Sequence, residues 1–130
     1  MPATALQIVH AMYESFGKGD LPAILERVAF PVDWELVGPK ALGYSGPRRN
    51  RDDVIDFFAK VAELDHLHEF EPREFIAAGD HVTVLGWERT TPKPTGKEFT
   101  TEWVHVWTVT DGKVRRFKGF LDTATALAAR

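Results

Sequence analysis

The stretch Glu102 to Asp122, EWVHVWTVTDGKVRRFKGFLD, constrains this chain more than any other. It reads as two long β-strands joined at Asp111-Gly112. Strand side chains alternate between faces. Trp103, His105, Trp107 and Val109 therefore share one face, and Val104, Val106 and Thr108 the other. A histidine between two tryptophans is an unusual wall for a plain core. It is a credible wall for a pocket that holds something apolar.

At 130 residues, the chain is expected to form a single domain, 1–130, with a real core. Apolar content of 44% and charged content of 27% are those of a soluble globular protein. A net charge of −3 and a pI near 5.9 argue against a nucleic-acid partner, which calls for a basic patch. The basic cluster Arg48-Arg49-Asn50-Arg51 is answered at once by Asp52 and Asp53, and reads as a solvated helix entrance. There is no cysteine, so disulfide and thiolate chemistry are excluded. No leader pattern and no apolar run of bilayer length is visible, so the expected compartment is the cytoplasm, without a membrane partner.

Helical spacing of Leu6, Val9, Met12, Tyr13 and Phe16 predicts a first helix over residues 3–17. Asp20 suits the N-cap of a second, with Pro22 in its first turn and Pro31 as its end. Residues 32–37 read as a short strand, and the glycines and prolines of 38–47 as a loop. Asn50 is placed to cap a third helix carrying Val54, Phe57, Phe58 and Val61, with Asp52 and Asp53 against its dipole. Strands follow around Phe70 to Ile76, over 81–89, 99–109 and 113–121, and Asp122 caps a short last helix. The expected fold is α+β: a cone-shaped barrel of curved, mostly antiparallel sheet wrapped over three helices. Such cones enclose cavities favoured by ligands.

The segments FGKGDLPAILERV, VDWELVGP, YSGPRRNRDDVIDFF and VHVWTVTDGKVRRFKGFLDT, in that order, resemble the SnoaL-like branch of the nuclear-transport-factor-two-like superfamily. That superfamily also holds ketosteroid isomerases, limonene-epoxide hydrolases and scytalone dehydratases. The resemblance covers nearly the whole chain and implies the fold more firmly than an activity. Cyclases of this branch carry a catalytic carboxylate seven residues past the glycine of the DGK turn, which is Gly119 in this chain. The epoxide hydrolases also place an aspartate there. The general base of the ketosteroid isomerases aligns with Leu36, and their oxyanion tyrosine falls near Met12, beside Tyr13. Their oxyanion acid falls on His105, where the cyclases also carry a histidine. The resemblance thus implies one retained polar pocket residue and two missing bases. It also implies a homodimer through the outer sheet face, since relatives commonly pair there.

His105 is the residue on the inferred pocket face with an unperturbed pKa near working pH. Burial between two tryptophans lowers it. It is the candidate acid/base or hydrogen-bonding group, with Tyr13 assisting. A core histidine satisfied by a neighbour is the alternative, and the two readings stand open. Trp34, Leu36, Trp103, Trp107, Phe117 and Gly119 are the expected ligand contacts. On the strand 81–89 both faces contain apolar residues, so Glu88 is either a pocket carboxylate or an exposed charge. Exposure is favoured, because unpaired buried carboxylates are costly. Arg115 shares strand parity with Gly119 and could meet a ligand or an acidic neighbour, a surface ion pair being the simpler reading. Val104, Val106 and Thr108, with Val82 and Val84 beside them, would form an outer apolar patch. His66-x-His68 lacks a third ligand at a recognised spacing and reads as a solvated loop, so no metal site is expected. No cofactor is expected either. The implied function is an isomerase, cyclase or dehydratase acting on a small apolar carbonyl or hydroxyl compound. The alternatives are a carrier that shields such a molecule without reacting it, and a protein-interaction domain using the sheet face.

Overall fold

The computed structural model describes residues 3–130. Helix α1 (Ala5–Gly17) opens on a reciprocal cap between Thr4 and Gln7 and buries Val9 and Met12. Asp20 caps α2 (Leu21–Glu26), accepting from the Ala23 amide at 3.2 Å. That helix ends at Glu26, not at Pro31. The chain turns at Arg27 and enters β1 (Val28–Leu36), which contains Pro31 at a cis peptide bond with Phe30. Pro31 is tolerated because it lies exposed where the pairing register with the neighbouring strand slips, between Val28 and Asp33.

A short 3-10 turn (Lys40–Leu42) leads to β2 (Gly46–Arg48), a strand that begins within the expected loop. Asn50 and Asp53 cap α3 (Arg51–Leu64) reciprocally. Four strands follow: β3 (Asp65–Ala78), β4 (His81–Pro92), β5 (Phe99–Thr110) and β6 (Lys113–Leu121). Asp122 then caps α4 (Thr123–Ala128), accepting from the Thr125 amide and hydroxyl.

The six strands form one sheet in the order β2-β1-β6-β5-β4-β3. Only β1 and β6 run parallel; every other pair is antiparallel. Two register slips between β3 and β4 sharpen the twist of that edge. The sheet curves over the helices but does not close: β2 and β3 are its free edges, so it is an open cone rather than a barrel. His66 and His68 lie on β3, not in a loop, and His68 Nε2 is 2.7 Å from the Thr91 hydroxyl. Among the described residues no three His, Asp or Glu side chains cluster as metal ligands, and no helix is long and apolar enough to cross a membrane.

The core lies between the helices and the inner sheet face. Trp103, His105, Trp107 and Val109 are all buried there, as their alternation predicts. Val82 and Val84 are too, and so do not join the outer patch. Val82 faces Trp107 and Val84 faces His105 across the ladder, and opposite residues share a face. The same parity turns Glu88 inward, where it is only 8% exposed. Arg115 goes the other way. A bulge at Thr108/Val109 pairs Val109 with Val114 but Thr108 with Arg116, so Arg115 is left over and exposed. It bonds Thr110 at 3.1 Å and approaches Asp111 to 3.9 Å.

Candidate functional site

One cavity opens between α1, α3 and the inner sheet face, with about 100 Å³ of space. An engineered cavity of ~150 Å³ accepts benzene, so a ligand of about one ring fills this one. Its wall includes Tyr13, Trp34, Leu36, Trp103, His105, Trp107 and Phe117. Seven of the eight residues singled out in the sequence thus meet at one place.

Gly119 is the exception. It faces His105 across the β5–β6 ladder, but Leu36 and Phe117 cover it. A Cβ there would lie 2.8 Å from Leu36 Cδ1, 3.2 Å from Phe117 Cζ and 3.3 Å from His105 Cδ2. The volume that a carboxylate would need is filled with hydrocarbon.

The polar centre of the wall is a three-residue chain. Trp107 Nε1–H donates to the Tyr13 hydroxyl at 2.9 Å, and that hydroxyl lies 2.7 Å from His105 Nδ1. An indole nitrogen only donates, so the Tyr13 oxygen is the acceptor there. Tyr13 has no other acceptor among the described residues, so the tautomer that satisfies its O–H is the one in which Nδ1 accepts and the imidazole proton sits on Nε2. Burial lowers the His105 pKa to about 3, so the ring is neutral at any working pH. Burial also pushes the Tyr13 phenol well above its usual range, against the smaller effect of Trp107, and it stays protonated. Among the described residues His105 Nε2 has no hydrogen-bond partner. The site therefore offers a neutral donor of fixed tautomer. The indole nitrogens of Trp34 and Trp103 are sealed in the packing without partners.

Aromatic packing fixes these groups. His105 stacks on Trp103 at 4.0 Å, and Trp103 stacks on Phe70 at 4.8 Å. Trp34 packs on Phe117 at 4.4 Å. A wider cleft between α1 and β3 shares Tyr13, Phe16, Leu67 and Phe70 with the cavity and leads toward it.

A second polar group, unforeseen in the sequence, sits at another part of the wall. Arg130 grips Asp65 with two nitrogens, at 2.9 and 3.1 Å, and donates to the Tyr44 oxygen at 2.8 Å. The Tyr44 hydroxyl donates to Asp65 Oδ2 at 2.6 Å. Glu88 lies beside this cluster and accepts from the Thr90 hydroxyl at 2.7 Å. Burial raises the Glu88 pKa to about 7. The Thr90 hydrogen bond and Arg130 lower it, and the nearby Asp65 adds to the rise. The inward parity of β4 was the signal for Glu88. Tyr44, Asp65 and Arg130 come from a loop, a helix-strand junction and the last residue, with no spacing to announce them.

The family model of the SnoaL-like domain matches residues 9–117, most of the chain. The chain belongs to the SnoaL-like family. Solved structures agree. The same fold is found in an NTF2-like protein from Burkholderia thailandensis, 28% identical, covering 98% of this chain and 97% of that one, with a TM-score of 0.90. An NTF2-like protein of unknown function from Burkholderia pseudomallei is 32% identical over 98% and 97%, with a TM-score of 0.84. TerC, crystallised with polyporic acid, is 28% identical over 98% of each chain, with a TM-score of 0.81. Among curated proteins none matches this SnoaL-like chain in sequence.

Proposed function

We propose that this SnoaL-like protein holds a small, mostly apolar carbonyl or hydroxyl compound in its cavity and carries out isomerase-, cyclase- or dehydratase-type chemistry on it. One observation carries the reading: the Trp107–Tyr13–His105 chain holds a neutral Nε2–H with no protein acceptor in an aromatic wall. Nε2 keeps some accessible surface, so a ligand oxygen in the cavity can reach it and supply the missing acceptor. TerC, a relative of the same fold, was crystallised with polyporic acid, which supports a small-molecule role. The second reading, a carrier that binds without reacting, draws on Leu36 and Gly119 standing where relatives carry their bases.

A native mass spectrum of the purified protein tests occupancy, and any retained mass supplies the ligand. With that ligand, or a small aromatic ketone if none is retained, His105→Ala is expected to weaken binding by about 1–3 kcal/mol. In an enzyme it should also abolish turnover. Unchanged affinity and unchanged turnover, measured side by side, remove His105 from both readings.

We also propose a homodimer through the open sheet face. That face carries Leu85, Val104 and Val106, with Phe120 at 42% and Ile76 at 50% exposure. Neighbouring apolar side chains of this kind favour burial against a second copy. Light scattering at micromolar concentration should give twice the 14.6 kDa chain mass. The pair Ile76→Lys and Phe120→Lys should lower it to one chain. A wild-type protein of single-chain mass rules the dimer out.

A further inference from the structure

We propose that Glu88 is the proton-transfer group of this cavity, supplying from β4 the base that relatives carry at the positions of Leu36 and Gly119. The proposal rests on the small-molecule reading above and adds a residue and a step to it. Glu88 lines the same cavity as His105. The ladder places them two inward rows apart, with Val84 opposite His105, Gly86 opposite Trp103 and Glu88 opposite Thr101. The Trp103 indole lies over Gly86, so the two polar groups flank a flat aromatic floor.

The surroundings of Glu88 suit the task. Its Oε2 takes the Thr90 proton, and among the described residues Oε1 has no hydrogen-bond partner. The charged and titratable groups facing it are Asp65 from the start of β3, Arg130 from the chain end and Tyr44 from the loop before β2. Arg130 and Tyr44 are committed to Asp65 by three hydrogen bonds. Glu88 therefore has no cation of its own. A carboxyl so placed populates both protonation states near neutral pH and can accept a proton and return it.

The step balances without a co-reactant. The Glu88 carboxylate takes a proton from carbon beside a ligand carbonyl, and the C–H electron pair forms a new C=C bond. The carbonyl oxygen gathers the charge against His105 Nε2–H. In a ligand with a C=C bond one carbon further on, the charge spreads over a dienolate; return of the proton at its far carbon re-forms the C=O, restores the carboxylate and completes an isomerisation.

The probe is 3-cyclohexenone, a one-ring ketone that fits the cavity and loses a C–H between its carbonyl and its C=C to a base. Return of the proton at the far end of the C=C gives the conjugated 2-cyclohexenone, whose ultraviolet absorption reports turnover. The saturated analogue cyclohexanone, which cannot isomerise, measures binding by calorimetry. Wild type should bind the analogue and turn over the probe, with a rate that rises with pH as Glu88 deprotonates, midpoint near 7. Glu88→Gln should keep binding and lose at least ~100-fold in kcat/KM. Thr90→Val keeps the carboxylate but loses the hydrogen bond that lowers its pKa, so turnover should persist with its midpoint moved to higher pH. Analogue binding without turnover, or a Glu88→Gln variant as fast as wild type, overturns the role of Glu88 and leaves the pocket reading standing. An unmoved midpoint in Thr90→Val also overturns it, and this holds even if Glu88→Gln fails to fold. Neither binding nor turnover overturns both.

Discussion

Gly86→Ala is expected to cost this protein its cavity. A Cβ at residue 86 would lie 2.2 Å from Trp103 Cζ2 and 2.4 Å from Cε2 and Cη2. These are carbons of a rigid bicyclic ring, not the end of a flexible side chain. Phe70 stacks on the ring at 4.8 Å and His105 at 4.0 Å, so the space left for it to move into is the cavity itself. Overpacking a filled site costs about 1–3 kcal/mol, and more where the neighbour cannot change rotamer. The upper end, about 3 kcal/mol, is expected here. Displacing Trp103 also moves His105, so ligand affinity should fall with stability. Urea unfolding and ligand titration of the same variant check both. A loss of under about 1 kcal/mol with affinity intact would mean that the floor is far softer than its packing implies.

The second large effect is expected at the chain end. Arg130→Met should destabilise the protein by about 3 kcal/mol, the lower part of the range for breaking a buried ion pair. The Asp65 side chain is only 2% exposed and that of Arg130 14%. Removing the guanidinium leaves the carboxylate with Tyr44 alone, in a site where water has little access. The complementary change, Asp65→Asn, leaves the more exposed partner unpaired and should cost less. Comparing the two by thermal and urea unfolding separates a pair that holds the fold from a surface contact. Near-wild-type stability in Arg130→Met would reduce the contact to a surface ion pair of ordinary, small worth.

The parts of the fold legible in advance were those written as local periodicity. Alternation in β5 put Trp103, His105 and Trp107 on one face without any knowledge of partners. Helical spacing put Tyr13 on the buried side of α1, although nothing local showed its hydroxyl meeting both His105 and Trp107. Glu88 is not legible in its own strand, because each face of β4 holds apolar residues; only the register with β5 decides which set is inside. Strict parity alone would turn Arg115 inward with Gly119; a bulge turns it out, and the simpler reading, a surface charge near an acidic neighbour, is the one found. Pro31 looked like a helix end because proline breaks helices, yet it sits within a strand where the register slips. The Tyr44–Asp65–Arg130 cluster joins residues as far as 86 positions apart. No window of sequence contains it, and only the closed fold creates it.

The tryptophans divide the molecule in a way that makes it report on itself. Of the four in the chain, Trp34, Trp103 and Trp107 stand in the cavity wall. Trp87 is on the outer face, with Arg73 over its ring at 5.0 Å. Indole emission depends on what surrounds the ring. Filling the cavity therefore alters three fluorophores at once and spares the fourth, while covering the outer sheet does the reverse. With Trp87→Phe as a reference, the intrinsic emission of this one chain distinguishes a guest inside from a neighbour outside, with no label attached.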